Sequence, residues 1–179
     1  MGLGSGILCP VRLNTSLTEE QQALYQDQES VKEILDQTRT IAMVGLSSDR
    51  QKAGYFVASY LRSAGYTIIP VNPNADKILG LTCYPDLGSV PLPVDLVDIF
   101  RPANACTAIV EAAIACKARA VWMQLKIINL EAAARARAAG LLVVVDRCVK
   151  MEHGRYSGGL HEAGMNTELI SPLRRHRFI

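Results

Sequence analysis

Short apolar runs alternate with segments of helical periodicity from Thr40 onward. The third and fifth apolar runs are nearly continuous, as expected for strands that are covered on both faces. The alternation predicts an α/β fold with a doubly wound, mostly parallel sheet of five to six strands. The predicted strands span 41–45, 66–71, 94–100, 120–124 and 142–146, with a further short strand near 82–84, and the predicted helices span 54–64, 102–117 and 130–139.

The segment before the first strand is more polar and carries two helix-start signals. Thr18 with Gln21, and Ser30 with Glu33, each match a capping box. The sequence after Asp146 shows no clear period. The expected organisation is a disordered segment at 1–16, an N-terminal helical arm at 17–39, the main domain at 40–155 and a C-terminal tail at 156–179.

Composition narrows the class of protein. The chain has 179 residues, 49% hydrophobic and 20% charged, with a formal net charge of +2, which gives no reason to expect nucleic acid or a membrane as a partner. No apolar stretch approaches the roughly 20 residues of a membrane span, and no signal peptide is predicted. Five cysteines without a C-x-x-C pair argue against a zinc framework or a disulfide scaffold and favour a cytoplasmic location.

Polar, aromatic and sulfur-containing residues gather where the predicted strands end. In open α/β sheets, ligands bind beyond the carboxyl ends of the strands. Strand ends are also polar because they meet water, which accounts for part of the pattern. The candidate residues are Gly45, Ser47 and Ser48 after the first strand, Asn72 and Pro73 after the second, Phe100 and Arg101 after the third, Trp122 and Gln124 in the fourth, and Cys148 after the fifth.

The loop after the first strand, residues 45–55, indicates which class of nucleotide the protein could bind. A dinucleotide motif G-x-G-x-x-G would place glycine where Ser47 stands, and it would place an acid near Asn72 for the ribose hydroxyls. Because both features are missing, the sequence argues against NAD. Serine hydroxyls, helix amides and the cations Arg50 and Lys52 suit a ligand with several phosphates. Either cation taken alone is better explained as solvated surface charge.

Six segments together resemble a family of small stand-alone bacterial and archaeal coenzyme A-binding proteins, related to the nucleotide-binding domain of the succinyl-CoA synthetase α subunit. The resemblance implies a Rossmann-like fold that binds coenzyme A or an acyl-CoA through its 3′-phospho-ADP moiety. The sequence has no counterpart of the phosphorylated-histidine domain of that subunit, so the synthetase reaction is not implied. The segments are IAMVGLSS (41–48), YFVASYL (55–61), GYTIIPVNP (65–73), VDLVDIFR (94–101), AVWMQL (120–125) and VVVDRCVKMEH (143–153).

The resemblance also implies ligand contacts for individual residues. These implied contacts are Gly45, Ser47 and Ser48 at a phosphate, Lys52 and Tyr55 along the nucleotide, Asn72 and Pro73 beside the adenosine, and Phe100 and Arg101 facing the nucleotide or the pantetheine arm, with Trp122 and Gln124 nearby.

The sequence gives weaker evidence for reactive or catalytic side chains. Cys148 follows Arg147 at a strand end, where a cation and helix amides would lower the thiol pKa and allow a mixed disulfide with coenzyme A. The sequence favours the alternative, a half-buried structural cysteine. Asp98 and Asp146 are candidates for an acid/base pair, although such aspartates more often cap helices or bind loop amides. No set of nucleophile, base and orienting group is recognised, and the histidines are too loosely placed to predict a metal site.

Three functions remain open from the sequence. The first is a non-catalytic binding, sensing or carrier module for coenzyme A or acyl-CoA. The second is an enzyme that uses an acyl-CoA or an NADP-like cofactor, with Lys77 or Arg50 at the 2′-phosphate, although the missing second glycine argues against NADP. The third is an interaction subunit with a vestigial nucleotide pocket, in a homodimer or with a partner enzyme.

Overall fold

The structure, a computed structural model, describes residues 15–157. In that part of the chain the helices are α1 (Glu19–Tyr25), α2 (Gln28–Gln37), α3 (Ala53–Ser63), α4 (Cys106–Ala115), α5 (Leu130–Ala138) and α6 (Val149–Ser157). The strands are β1 (Thr40–Val44), β2 (Thr67–Val71), β3 (Lys77–Ile78), β4 (Leu81–Thr82), β5 (Leu96–Ile99), β6 (Ala120–Met123) and β7 (Leu142–Val144).

Five parallel strands form the central sheet in the order β2-β1-β5-β6-β7. Strands β3 and β4 form a separate antiparallel pair. Beyond β2, Tyr84 makes a parallel bridge with Val71 and extends the sheet by one position. The strand order reverses between β1 and β5, which is the switch point where open α/β folds bind ligands. The predicted Rossmann-like α/β fold is confirmed.

Two apolar layers cover the sheet. Alternate residues of each strand face opposite sides, because successive side chains of a strand point in opposite directions. Ala42 and Val97 face the layer formed with α4 and α5. Met43 and Trp122 face the layer formed with α2, α3 and the start of α6. Both faces of the sheet are therefore buried, which explains the continuous apolar runs in the sequence.

Two helix boundaries differ from the prediction. Helix α2 begins at Gln28 with Asp27 as its N-cap, and the Asp27 carboxylate accepts the Ser30 N–H at 2.8 Å. The predicted capping box at Ser30 is therefore wrong, because Asp27 satisfies the helix start three residues earlier. The helix predicted over 102–117 is shorter: a 3₁₀ turn over Ala103–Ala105 precedes α4.

Helix α6 was not predicted from the sequence. Its charged side chains are not on a solvent face, because the buried Glu152 pairs with Arg147 at 3.5 Å and with Arg155 at 3.2 Å. Buried charge removes the polar stripe by which an amphipathic helix is recognised. The helix also runs past residue 155, where the predicted domain ended.

The N-terminal helical arm packs on the end of β7. The capping box of Thr18 with Gln21 is confirmed at the start of α1. Val145, just beyond β7, donates its N–H to the Tyr25 carbonyl at 3.2 Å. The buried Gln26 side chain donates from Nε2 to the Val145 carbonyl at 2.9 Å. Strand β7 ends earlier than predicted because Val145 bonds to the arm and Asp146 adopts a φ of +56°.

None of the helices within residues 15–157 is long and apolar enough to span a membrane.

Candidate nucleotide-binding site

Gly45 marks the switch point at the carboxyl edge, the edge of the sheet at which the parallel strands end. Its φ is +88°, and its N–H donates to the Val71 carbonyl at 2.9 Å. A β-carbon on Gly45 would lie 2.6 Å from Cδ of Arg101 and 2.9 Å from the Phe100 carbonyl oxygen. Glycine is required here both by the backbone conformation and by the close approach of the loop after β5.

The loop after Gly45 is held in place by its neighbours. Leu46 is fully buried, and its carbonyl accepts the Asn72 Nδ2–H at 2.8 Å. The other end of the Asn72 amide accepts the Asn74 N–H at 2.9 Å. Ser47 Oγ accepts the Asp49 N–H at 3.1 Å, which leaves the Ser47 hydroxyl hydrogen free to donate. The loop is therefore preformed, and the Asn72 side chain is used to fix it.

The start of α3 faces the same loop. Lys52 is the N-cap, and its side chain makes no capping hydrogen bond. Gly54 in the first turn packs against Phe100, since a β-carbon there would lie 3.3 Å from Cδ1 of that ring. The first amides of a helix lack intrahelical partners and lie at the positive end of the helix dipole. This helix start is suited to an anionic group.

Cations outnumber acids around this loop. Arg50, Lys52 and Arg101 are all exposed, and Asp49 is the exposed acid between them. Arg50 is stacked on Tyr55, with Cζ 5.7 Å from the ring centroid and Nε donating to the hydroxyl at 3.3 Å. Three cationic side chains against one carboxylate give the loop a positive field that attracts anionic ligands.

A buried carboxyl lies behind the loop. Asp98 on β5 is fully buried, and its Oδ1 accepts the Gln124 Nε2–H at 2.8 Å, while Oδ2 has no partner. Burial raises the pKa of Asp98 to about 8, against the lowering effect of the Gln124 hydrogen bond. Asp98 is therefore protonated at neutral pH. Its expected acid/base partner Asp146 is engaged elsewhere, accepting from the Thr15 hydroxyl and from the Lys126 N–H at 2.6 Å.

Trp122 and Gln124 are buried near the carboxyl edge and do not reach its surface. Trp122 is fully buried, and its indole N–H donates to the Arg147 carbonyl at 2.7 Å. Gln124 is also buried and is bound to Asp98. These two residues support the carboxyl edge from within. Pro73, by contrast, is exposed beside the end of β2.

Cys148 directly precedes α6 and is half-buried. Burial raises the pKa of its thiol, although hydrogen bonds from the Met151 and Lys150 amides oppose this, and the Asp98 charge raises the pKa further. The lowered pKa that the sequence allowed is therefore wrong, and the half-buried position that it favoured is confirmed. Arg147, the cation invoked for it, is instead paired with Glu152.

Two supporting features of this candidate site were not predicted from the sequence. Gly54 carries one available signal, a small residue in the first turn of a predicted helix, but its contact with Phe100 depends on the tertiary fold. The neutral state of Asp98 follows from complete burial, which a strand pattern alone does not reveal. Among residues 15–157, no group of three or more His, Cys, Asp or Glu side chains could hold a metal ion.

The chain belongs to the CoA-binding domain family. The model of that family, described as a CoA binding domain, matches residues 39–154. The chain is 34% identical over 123 residues to the uncharacterized protein YneT of Bacillus subtilis, which covers 69% of this chain and 91% of that protein. A solved structure of a hypothetical protein from Pyrococcus horikoshii OT3 matches with a TM-score of 0.71 and 37% identity, over 73% of this chain and 92% of that one.

A larger relative shares only one part with the chain. The ADP-forming acetate–CoA ligase II of Archaeoglobus fulgidus is 42% identical over 68 residues, which are 37% of this chain and 10% of the ligase. The likeness covers a tenth of that enzyme. It therefore extends to a CoA-binding region and carries no catalytic activity with it.

Proposed function

We propose that the chain binds coenzyme A or an acyl-CoA, with its 3′-phospho-ADP moiety at the loop 45–52 and the start of α3. The observation that carries the proposal is the convergence of three features at the switch point: the glycine loop after β1, an uncapped helix start and the Arg101 side chain lying across Gly45. Together they provide backbone donors, a helix dipole and cationic charge for phosphate groups.

Each surface residue has a definite role in this proposal. Ser47, Ser48 and the first amides of α3 donate to the pyrophosphate, and Lys52 and Arg101 neutralise its charge. In the remaining contacts, Tyr55 lies along the nucleotide, Pro73 borders the adenosine, and Phe100 faces the pantetheine arm. Asn72 acts indirectly by holding the Leu46 carbonyl. Trp122 and Gln124 support the edge from behind.

The preformed loop supports a binding module without its own catalysis. The loop residues are fixed by hydrogen bonds from Asn72 and within the loop, so little ordering is needed when a ligand binds. The buried carboxyl nearest to the site is protonated at neutral pH because its pKa is raised to about 8. It therefore does not act as a general base at that pH. We therefore propose a carrier or sensing role in the cytoplasm, with the protein acting alone, as a homodimer or beside a partner enzyme.

The proposal is tested by isothermal titration calorimetry with coenzyme A, acetyl-CoA, dephospho-CoA and NADPH. We expect binding of the first two ligands. Dephospho-CoA lacks the 3′-phosphate, which the positive field around the loop attracts, so we expect it to bind about 10- to 100-fold more weakly, the loss of about 1.5–3 kcal/mol for a hydrogen bond to a charged group. Tight NADPH binding would favour the enzyme alternative. Binding of none of the four ligands would favour the vestigial pocket.

The substitution Ser47→Asp tests the position of the phosphate. A carboxylate at this position would repel the pyrophosphate, so we expect loss of measurable coenzyme A binding with the fold retained. Ser63→Asp, at the exposed last residue of α3, adds the same charge at the opposite end of that helix and serves as the control. Unchanged affinity in the Ser47 variant would show that the loop is not the phosphate site.

A further inference from the structure

Cys148 differs from the other described cysteines in its position and exposure. It follows β7 at the carboxyl edge and is half-buried, whereas Cys83 and Cys106 are buried. Cys116 is also half-buried, but it caps the C-terminal end of α4, at the opposite edge of the sheet. Among the described thiols, Cys148 alone combines partial exposure with the edge that carries the candidate nucleotide site.

Cys148 shares an apolar layer with the ring that covers the nucleotide loop. It packs against the same core cluster as Phe100, and Phe100 lies on Gly54 at the start of α3. Its sulfur accepts hydrogen bonds from the Lys150 and Met151 amides at the start of α6. Two helix starts, those of α3 and α6, thus lie on the same side of the sheet at the carboxyl edge.

A second feature of this region is the buried Asp98 carboxyl group. Asp98 is completely buried, its Oδ2 has no partner, and it lies near enough for its charge to act on Cys148. A buried polar atom without a partner is costly and is rare in native proteins. The pantetheine arm of coenzyme A has amide groups next to its thiol, and an amide N–H or carbonyl can pair with this carboxyl oxygen.

We propose that Cys148 forms a mixed disulfide with the thiol of coenzyme A, by exchange with a disulfide form of coenzyme A. This inference rests on the proposed function. The Cys148 thiolate attacks one sulfur of the coenzyme A disulfide, the disulfide bond breaks, and one coenzyme A leaves as a thiolate that takes up the proton Cys148 released. Cys148 is oxidised and the departing coenzyme A is reduced, so no further oxidant is required.

The environment of the thiol favours a slow reaction with a persistent product. Burial raises the pKa of Cys148, so little thiolate is present at neutral pH and attack is slow. Because burial outweighs the two amide hydrogen bonds, the reduced form lacks the net thiolate stabilisation that makes some protein disulfides strong oxidants. Partial burial of the sulfur also limits access of other thiols to the product.

The experiment is intact-mass analysis of protein incubated with coenzyme A disulfide and no reductant. We expect a single coenzyme A adduct on the wild type and on Cys116→Ser, no adduct on Cys148→Ser, and release of the adduct by dithiothreitol. Free 3′-phospho-ADP should slow its formation by occupying the nucleotide site. An adduct that persists in Cys148→Ser, or one formed equally fast with glutathione disulfide, would overturn the proposal.

Calorimetry with reduced coenzyme A separates failure of this inference from failure of the proposed function. Reversible binding without any adduct would overturn the mixed disulfide and leave the binding function intact. Neither binding nor adduct would overturn both. Reversible binding of coenzyme A to the wild type and to Cys116→Ser, together with loss of the adduct in Cys148→Ser, is the result we expect.

Discussion

Arg101 lies directly across Gly45, where β1 and β5 end beside each other. Cδ and Cγ of Arg101 lie 2.6 and 2.9 Å from the position that a β-carbon of Gly45 would occupy. Side chain and backbone can approach this closely only because glycine has no β-carbon. The contact places a guanidinium group next to the loop whose amides and hydroxyls face the proposed phosphate.

Replacing Gly45 with alanine is expected to damage both stability and ligand binding. The positive φ of +88° costs a residue with a β-carbon about 1–2 kcal/mol. The new methyl group also displaces Arg101, so the loss of coenzyme A affinity should exceed what the backbone strain explains. Urea unfolding and calorimetry measure the two effects on the same protein.

Gly65→Ala provides the matched control for this prediction. Gly65 has a similar φ of +100°, but a β-carbon there would meet no atom within 4 Å. It should therefore lose stability from strain and keep its affinity for coenzyme A. Equal affinity in the two variants would show that the Arg101 contact does not contribute to binding.

Asp49→Asn is expected to strengthen coenzyme A binding. Asp49 is the exposed acid among the three cations of the site, and its Oδ1 accepts the Gln51 N–H at 2.9 Å. Asparagine keeps an oxygen acceptor for this turn and removes the charge that repels phosphate. We expect an affinity gain of about two- to fivefold, the size of an exposed charge interaction.

Salt dependence and a control variant test the cause of that gain. It should shrink in 1 M salt, where the screening length falls to about 3 Å. Asp36→Asn, at an exposed position on α2, should leave the affinity unchanged. A gain that is independent of salt would indicate a change in loop structure rather than in charge.

Asp98 should make the stability of the protein decrease as the pH rises. Burial raises its pKa from the usual 3.8 to about 8, so between these values the folded protein holds a proton that the unfolded chain releases. The stabilisation is complete below about pH 4 and is lost progressively as the pH rises to about 8. The free energy of unfolding falls over this range with a limiting slope of about 1.4 kcal/mol per pH unit. Urea unfolding at pH 5, 6, 7 and 8 measures this slope.

Asp98→Asn isolates this contribution from those of other titrating groups. Asparagine keeps an oxygen acceptor for the Gln124 amide and does not titrate. The free energy of unfolding of the variant should fall less steeply between pH 5 and 8 than that of the wild type. Parallel pH profiles for the two proteins would show that Asp98 is ionised in the folded state.

The strands were predictable because both faces of the sheet are buried, whereas the chemistry behind the site was not. The run VDLVDIF identifies a buried strand, but the partner of Asp98 is Gln124, just after the neighbouring strand β6 and 26 positions away in the sequence. Trp122 lies near a predicted strand end, yet it faces the core, where the Arg147 carbonyl accepts its indole N–H. Such pairings depend on register across the sheet and leave no local pattern in the sequence.

Gln26→Ala is expected to loosen the N-terminal helical arm without weakening coenzyme A binding. The substitution leaves the Val145 carbonyl without the buried donor that lies 2.9 Å away, at a cost of about 1–3 kcal/mol. The arm is held nearby by the Val145 N–H bond to Tyr25, and hydrogen exchange at this amide should become faster. Gln28→Ala, in the first turn of α2, should leave the exchange unchanged. Because Gln26 is bound beyond β7 and the proposed phosphate site lies after β1, calorimetry should show equal affinity, and a large loss would indicate that the arm is part of the ligand site.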